Sequence, residues 1–258
     1  MAGKIAFVLA ASEHGSMIVN RLDFRADPQG HACGVGIMLL EQGSHEAGEI
    51  ATLLDLVSSR SGGADAVILD VGANIGTHAI SWARALEGRG EVIAIEAQER
   101  VFYALAGNIA LNNCFNARAL WAVAGSVTGV VRIPRLDHQR PANFGGLSFK
   151  PDVDQDPGQP VAFAGPSTDL VPSIRVDDLA LTRLDILKID VEGMEPDVLD
   201  GAAATIARCR PIVFAERNIC GSKPIEDRLP GYRTIEAGMN LLGMHAEDSL
   251  WEKVRVSV

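Results

Sequence analysis

The sequence predicts an α/β fold built on a mostly parallel sheet, and three observations carry that expectation. From Val67 onward, short apolar runs alternate with stretches of helical periodicity, the pattern of strands joined by right-handed helical crossovers. The first run, Ile68-Leu69-Asp70-Val71, passes straight into Gly72-Ala73-Asn74-Ile75-Gly76, a strand-to-helix turn whose glycines allow tight turning and close approach of a ligand. The next run, Val92-Ile93-Ala94-Ile95, ends at an acid, Glu96.

With 258 residues and 47% hydrophobic content, the chain can bury a substantial core, so one α/β domain with appendages is expected. Its 23 basic against 33 acidic residues give a net charge of -10, which argues against binding a nucleic-acid backbone and favours a small or uncharged partner. Cys33, Cys114, Cys209 and Cys220 are spread without a C-x-x-C pair, so neither a disulfide framework nor a zinc pattern is expected, and a reducing cytoplasm is. The run Ile5 to Ala11 is too short to span a bilayer and reads as an opening strand.

Residues 1–65 read as a small layer packed on the core. Apolar runs at Ile5 to Leu9, Met17 to Val19 and Val35 to Leu40 suggest antiparallel strands, and Ile50, Leu53, Leu54 and Val57 give one buried stripe to a helix over Glu46 to Val57. Residues 66–258 form the main domain. Its expected strands are Val67 to Val71, Val92 to Ile95, Ala119 to Val123, Ile186 to Val191 and Pro211 to Ala215. Helices are expected from Thr77 to Leu86, Arg100 to Asn112 and Pro196 to Ala207. Residues 137–172 carry six prolines and read as an insert, a lid or a disordered loop, in which Gly145 and Gly146 could bring backbone against a ligand. A short helix near Arg233 to Met239, then a hairpin of Leu241 to His245 with Trp251 to Val256, would close the sheet edge.

The chemistry gathers at the carboxyl ends of the strands, where open α/β sheets bind ligands. Glu96 stands where such folds place a carboxylate for the ribose hydroxyls of a nucleoside. The turn lacks the G-x-G-x-x-G spacing of a dinucleotide site because Asn74 replaces the second glycine, and Asp70 suits an amine better than a phosphate. Together they favour S-adenosylmethionine. In Leu187-Lys188-Ile189-Asp190-Val191-Glu192-Gly193, alternation puts Lys188, Asp190 and Glu192 on one face, as an internal ion pair or a catalytic group. Asp190, Glu192 and Glu216 could converge for proton abstraction or for an oxygen-ligated divalent cation, the latter not favoured. Among six scattered histidines, His45 stands out because its helix could cover the ligand edge, although a solvated helix start is the blander reading.

Asp70 to Gly76, Val92 to Glu96, Asn108-x-x-x-Asn112-Asn113, Val176-Asp177-Asp178-Leu179 and Leu187 to Gly193, in this order, resemble the FkbM family of S-adenosylmethionine-dependent methyltransferases. The resemblance implies a Rossmann-like class I sheet of seven strands with the last antiparallel, and O-methylation of a hydroxyl. It places cofactor contacts at Asp70, Gly72, Ala73, Asn74 and Gly76, ribose at Glu96 and Ala97, and adenine near Val123, Ala124 and Gly125. Lys188, Asp190 and Glu192 would lie beside the transferred methyl, with Asp190 as base or as a cofactor-amine ligand. Gln98 stands where the family commonly has proline, and the insert after Arg135 is long for it. The expected acceptor is a small molecule or saccharide, in a protein that could be a homo-oligomer. An NAD-dependent oxidoreductase is the enzymatic rival, and a non-catalytic adenosyl-ligand-binding protein the other.

Overall fold

The structure, a computed structural model, describes residues 5–26, 32–61 and 64–254. The chain opens with a hairpin of β1 (Phe7–Ser12) and β2 (Gly15–Asn20), the short strands β3 (Arg25–Ala26) and β4 (Ala32–Cys33), and helices α1 (Val35–Gln42) and α2 (Ala47–Ser61). The core follows as β5 (Ala66–Val71), α3 (Thr77–Ala85), β6 (Gly90–Glu96), α4 (Glu99–Leu111) and β7 (Ala117–Trp121). Three outer strands come next, β8 (Val123–Ala124), β9 (Gly129–Pro134) and β10 (Thr168–Ile174). The chain then returns to the core through β11 (Ile186–Ile189), α5 (Glu195–Asp200), α6 (Ala203–Cys209), β12 (Ile212–Glu216), α7 (Ser222–Glu226), β13 (Tyr232–Ala237), β14 (Asn240–His245) and α8 (Trp251–Val254).

Seven strands form the main sheet in the order β13-β14-β12-β11-β5-β6-β7. β12, β11, β5, β6 and β7 are parallel, and β14, last in sequence, runs antiparallel between β12 and β13. This is the class I methyltransferase arrangement that the resemblance implied. The strands near the middle are apolar on both faces because helices cover both: Ile68 and Ala94 face one core, Leu69, Ile93 and Leu187 the other.

Several expectations are corrected. Val35 to Leu40 is helical in α1, not a strand, since its apolar residues pack in one turn-by-turn stripe on the hairpin rather than pairing edge to edge. Arg233 to Met239 is mostly strand β13, not a helix, because β14 offers it a complete ladder from Tyr232–His245 to Ala237–Asn240. Trp251 to Val254 is helix α8, not the second strand of a hairpin; residues 255 and 256 lie outside the described residues. The expected helix from Pro196 to Ala207 divides at Gly201, where a Cβ would stand 2.0 Å from the carbonyl oxygen of Gly125. The strand expected at Ala119 to Val123 is shifted to β7, and a break at Ala122 sends β8 into a separate sheet with β10 and β9.

The insert folds back against the N-terminal layer. Its end is β10, Pro172 included, paired with β9 so that both strands were missed by the sequence reading. Asp23, 4% exposed, fastens its middle to the N-terminal layer: Oδ1 accepts from the Phe144 N–H at 3.0 Å and Oδ2 from the Gly36 N–H at 2.9 Å. Gln98 completes the tie, donating through Nε2 to the Phe144 carbonyl at 2.7 Å. The two departures from the family pattern thus meet, because the side chain at 98 is one of the groups that hold the insert.

Candidate active site

A cavity of about 310 Å³ opens at the carboxyl ends of β5, β6, β11 and β12, roofed by the insert and by the start of α2. Its wall begins with the glycine turn. Gly72 (φ 80), Asn74 (φ 51) and Gly76 (φ 96) take the left-handed region that lets the strand reverse into α3 within five residues. Gly72 is demanded by the sheet itself, since a Cβ there would lie 1.8 Å from the carbonyl oxygen of Asp190.

Every N–H of this turn is spent inside the protein. Gly72 and Ala73 both donate to Ile95 O, at 3.0 and 2.9 Å, and Gly76 donates to Ala73 O at 2.9 Å. Asn74 N–H donates to Glu96 Oε2 at 3.0 Å and Ile75 N–H to Asn74 Oδ1 at 2.7 Å. The turn is therefore not a donor nest for phosphate, which needs free N–H groups. What faces the cavity is acceptor-rich: among the described residues, the lining holds Glu46, Glu96, Asp190, Glu192 and Glu216 against Lys188, His45 and His78, with no arginine.

Glu96 is 6% exposed at the end of β6; Oε1 accepts from the Gln98 N–H at 2.7 Å, and burial pushes its pKa up to about 7. Its carboxylate keeps room to accept from a ligand hydroxyl. Beyond it lie Ala97, Ala122, Val123 and Ala124, all buried, a flat apolar wall of small side chains.

Lys188, 4% exposed on β11, is the buried cation of the site. Its Nζ lies 3.2 Å from Asp190 Oδ2 and 3.6 Å from Asp70 Oδ1. Burial disfavours its charge, but Asp190, Asp70 and Glu46 outweigh that and raise its pKa. Asp70 is fully buried beneath the cavity floor, neither oxygen has a hydrogen-bond partner, and burial lifts its pKa to about 6 despite Lys188. Glu192 reaches the same cavity from a turn after β11, with φ 53, rather than along the strand face. Burial, then the charges of Glu216 and Asp190, push its pKa up to about 9. Glu216, at the end of β12, is carried to about 8 by burial and Asp190.

The linker before α2 and the first turn of α3 add side chains to the cavity. His45 is not a solvated helix start but lines the cavity, its Nδ1 3.3 Å from Glu46 Oε2; His78, 3% exposed in the first turn of α3, brings Nδ1 to 3.6 Å from the same oxygen. Burial opposes the Glu46 charge, yet His45, Lys188 and His78 together bring its pKa down to about 2. Burial drives that of His78 well down. The only sequence signal for His78 was its place two residues after the glycine turn. Among the described residues, two groupings could hold a metal ion: Asp190, Glu192 and Glu216, and Glu46, Glu49 and His78, each set with ligand atoms within 4.8 Å of one another.

Of the residues expected to hold a cofactor, Gly72, Ala73, Asn74, Glu96, Ala97, Val123, Ala124 and Asp190 line the cavity. Asp70 lies beneath it, and Gly76 is absent from the lining: its missing side chain makes room for Leu105 Cδ1, 2.7 Å from where a Cβ would be. Lys188, Asp190 and Glu192 are brought together as expected.

A model of the methyltransferase FkbM domain matches residues 70–240, from the buried acid below the turn to the start of β14. The chain belongs to the FkbM methyltransferase family. Its fold is similar to that of an FkbM methyltransferase from Methylobacillus flagellatus KT, at 18% identity and a TM-score of 0.48, covering 72% of this chain and 46% of that one. It is also similar to a precorrin-6y C5,15-methyltransferase from Geobacter metallireducens GS-15, at 14% identity and a TM-score of 0.44, over 78% of this chain and 90% of that one. A third likeness is to a SAM-dependent methyltransferase from Aquifex aeolicus, at 14% identity and a TM-score of 0.36, over 78% and 97% of the two chains. The chain thus spans less than half the length of the FkbM structure it matches. No curated protein matches it by sequence. Among the described residues, no helix of this FkbM methyltransferase is long and apolar enough to cross a membrane.

Proposed function

We propose that this FkbM methyltransferase uses S-adenosylmethionine to methylate a hydroxyl of a small molecule or saccharide. The observation that carries the reading is the glycine turn with all its N–H groups already bonded, beside a wall of carboxylates. Such a wall suits a ligand rich in donors, with ribose hydroxyls and an ammonium, and disfavours a pyrophosphate. When bound, S-adenosylmethionine supplies an electrophilic methyl group on a sulfonium.

In this reading, the protein's groups divide along the sheet. Glu96 accepts hydrogen bonds from the ribose hydroxyls, and Ala122, Val123 and Ala124 cover the adenine. Asp190 takes the proton of the acceptor hydroxyl as general base, oriented by Lys188 at 3.2 Å. Glu192, with its pKa near 9, keeps its proton at neutral pH and can donate to an acceptor oxygen. The insert, through Asn143, Gly145, Gly146 and Phe149, closes the cavity from above and excludes water from the transfer.

Calorimetry tests the ligand. S-adenosylhomocysteine is expected to bind in the micromolar range, and Glu96→Gln to weaken it about tenfold or more by removing an acceptor from a charged site. Binding of NAD with none of S-adenosylhomocysteine would overturn the reading.

A further inference from the structure

The N-terminal hairpin reaches the cavity through one buried imidazole. His14, at the tip between β1 and β2, is 3% exposed. Its Nε2 accepts the His45 N–H at 3.0 Å, and its Nδ1 lies 2.8 Å from Ser81 Oγ on α3. Ser81 has already donated its hydroxyl hydrogen to Thr77 O at 2.8 Å, so it can only accept from His14. The bonding pattern therefore assigns a neutral imidazole with its proton on Nδ1. A parallel strap, Glu13 N–H to Gly43 O at 2.8 Å, holds the same linker against the hairpin tip.

The residue after His45 is Glu46, whose φ of 56 lies in the left-handed region that a non-glycine residue keeps only when its surroundings impose it. This conformation turns its carboxylate toward His45 and His78 and into the cavity lining. Sheet order then limits what Glu46 can meet. Glu96 stands at the end of β6 and the apolar adenine wall beyond it at β7 and β8, so the amino-acid end of the same ligand is left the β5 and β11 side. Asp70, the other acid on β5, is sealed below the floor beside Lys188. Of the carboxylates lining that side, Asp190 is paired with Lys188 and Glu192 is grouped with Asp190 and Glu216, which leaves Glu46, whose neighbours are the imidazoles of His45 and His78.

We propose that Glu46 binds the ammonium of the S-adenosylmethionine amino-acid group, and that His14 is a positioning residue that holds Glu46 in place by bridging α3 to the His45 N–H. The proposal rests on the S-adenosylmethionine reading of the cavity. It makes the hairpin part of the binding site although none of its residues lines the cavity.

The test compares two probes by calorimetry: S-adenosylhomocysteine, and 5′-methylthioadenosine, which keeps the adenosine and thioether but has no amino-acid group. Glu46→Gln and His14→Ala are each expected to weaken S-adenosylhomocysteine about tenfold while changing 5′-methylthioadenosine less than about twofold, since only the charged hydrogen bond is lost. His14→Gln, whose amide oxygen can accept the His45 N–H, should recover part of the loss, and His14→Ala should add nothing to Glu46→Gln. If His14→Ala does not fold, Ser81→Ala, which removes only the anchor on α3, is expected to show the same selective loss. Equal weakening of both probes, or additive losses in the double variant, would overturn the proposal. If the wild type binds neither probe, the S-adenosylmethionine reading itself falls, and the proposal with it.

Discussion

Lys188 balances the charge of the site, and it does so from a position where neither partner could be spared. With 4% exposure and carboxylates at 3.2 and 3.6 Å, its ammonium links Asp190 at the cavity surface to Asp70 below the floor. Losing either partner of such a buried pair leaves an uncompensated charge, which is far more costly than losing both. The pair also aims Asp190, the acid assigned the acceptor proton. Asp190→Asn keeps the shape and a hydrogen-bonding oxygen for Lys188 but cannot take a proton. It is expected to leave S-adenosylhomocysteine affinity within about threefold and to lower kcat by about a hundredfold or more, on the acceptor that the wild type methylates. Transfer of labelled methyl groups measures it, and unchanged turnover would remove Asp190 from the mechanism.

At the scale of elements, the N-terminal layer is fastened to the core by side chains that imitate a strand. Asn108 in the last turns of α4 and Asn112 at its C-cap, four residues apart, present their amides to the free edge of β2. Asn108 Oδ1 accepts from the Ile18 N–H at 2.5 Å and its Nδ2 donates to Ile75 O at 2.8 Å in the glycine turn. Asn112 does the same for both backbone groups of Ser16, at 3.0 and 2.8 Å. A sheet edge that would invite aggregation is thus capped by a helix. Because Asn108 is fully buried, Asn108→Ala strands the Ile18 N–H and the Ile75 carbonyl, and is expected to cost about 2–3 kcal/mol in urea unfolding. The exposed Glu87→Ala, just beyond α3, should cost less than about 0.5 kcal/mol. Equal costs would show that the amide ladder does not hold the layer.

Across the whole molecule, the concentration of carboxylates at one sheet edge makes stability depend on pH in an unusual direction. Asp70, Glu96, Glu216 and Glu192 have folded-state pKa values near 6, 7, 8 and 9, above the ordinary 3.8 to 4.5. The folded chain then holds more protons than the unfolded chain between those limits, so stability falls as pH rises through that window. Glu46 works the other way, its contribution being lost as pH falls from 4.5 toward 2. His14, His78 and His138, whose pKa values burial lowers, also oppose the raised acids below about pH 6.5. The Tm of the ligand-free protein is therefore expected to decline from about pH 7 toward pH 9, and Glu192→Gln should flatten that decline. A Tm that rises from about pH 7 to about pH 9 would contradict the protonation assigned to these acids.

Asp70 to Gly76, Glu96 and Lys188 to Gly193 were legible in the sequence because each is local: a strand, a turn with its glycines, and charged residues at a strand's carboxyl end declare themselves within a few residues. The parallel core and the cavity edge follow from them. The roles of individual residues did not. Gly76 reads as a ligand contact but makes room for Leu105, and Glu192 reads as a strand residue but arrives from a turn. β13 and α1 were misjudged because short apolar runs suit either element until a ladder or a packing surface decides. Glu46 and His78 are 32 residues apart and meet only when α2 lies across α3, and Gln98 finds Phe144 only once the insert folds back. The sequence by itself determined the sheet, the glycine turn and the acids that close its strands, since those depend on backbone preference and periodicity. Tertiary packing alone decided which acids share the cavity, which is sealed beneath it, and that His14 of the hairpin holds the linker leading into Glu46, because burial and charge pairing exist only between segments brought together.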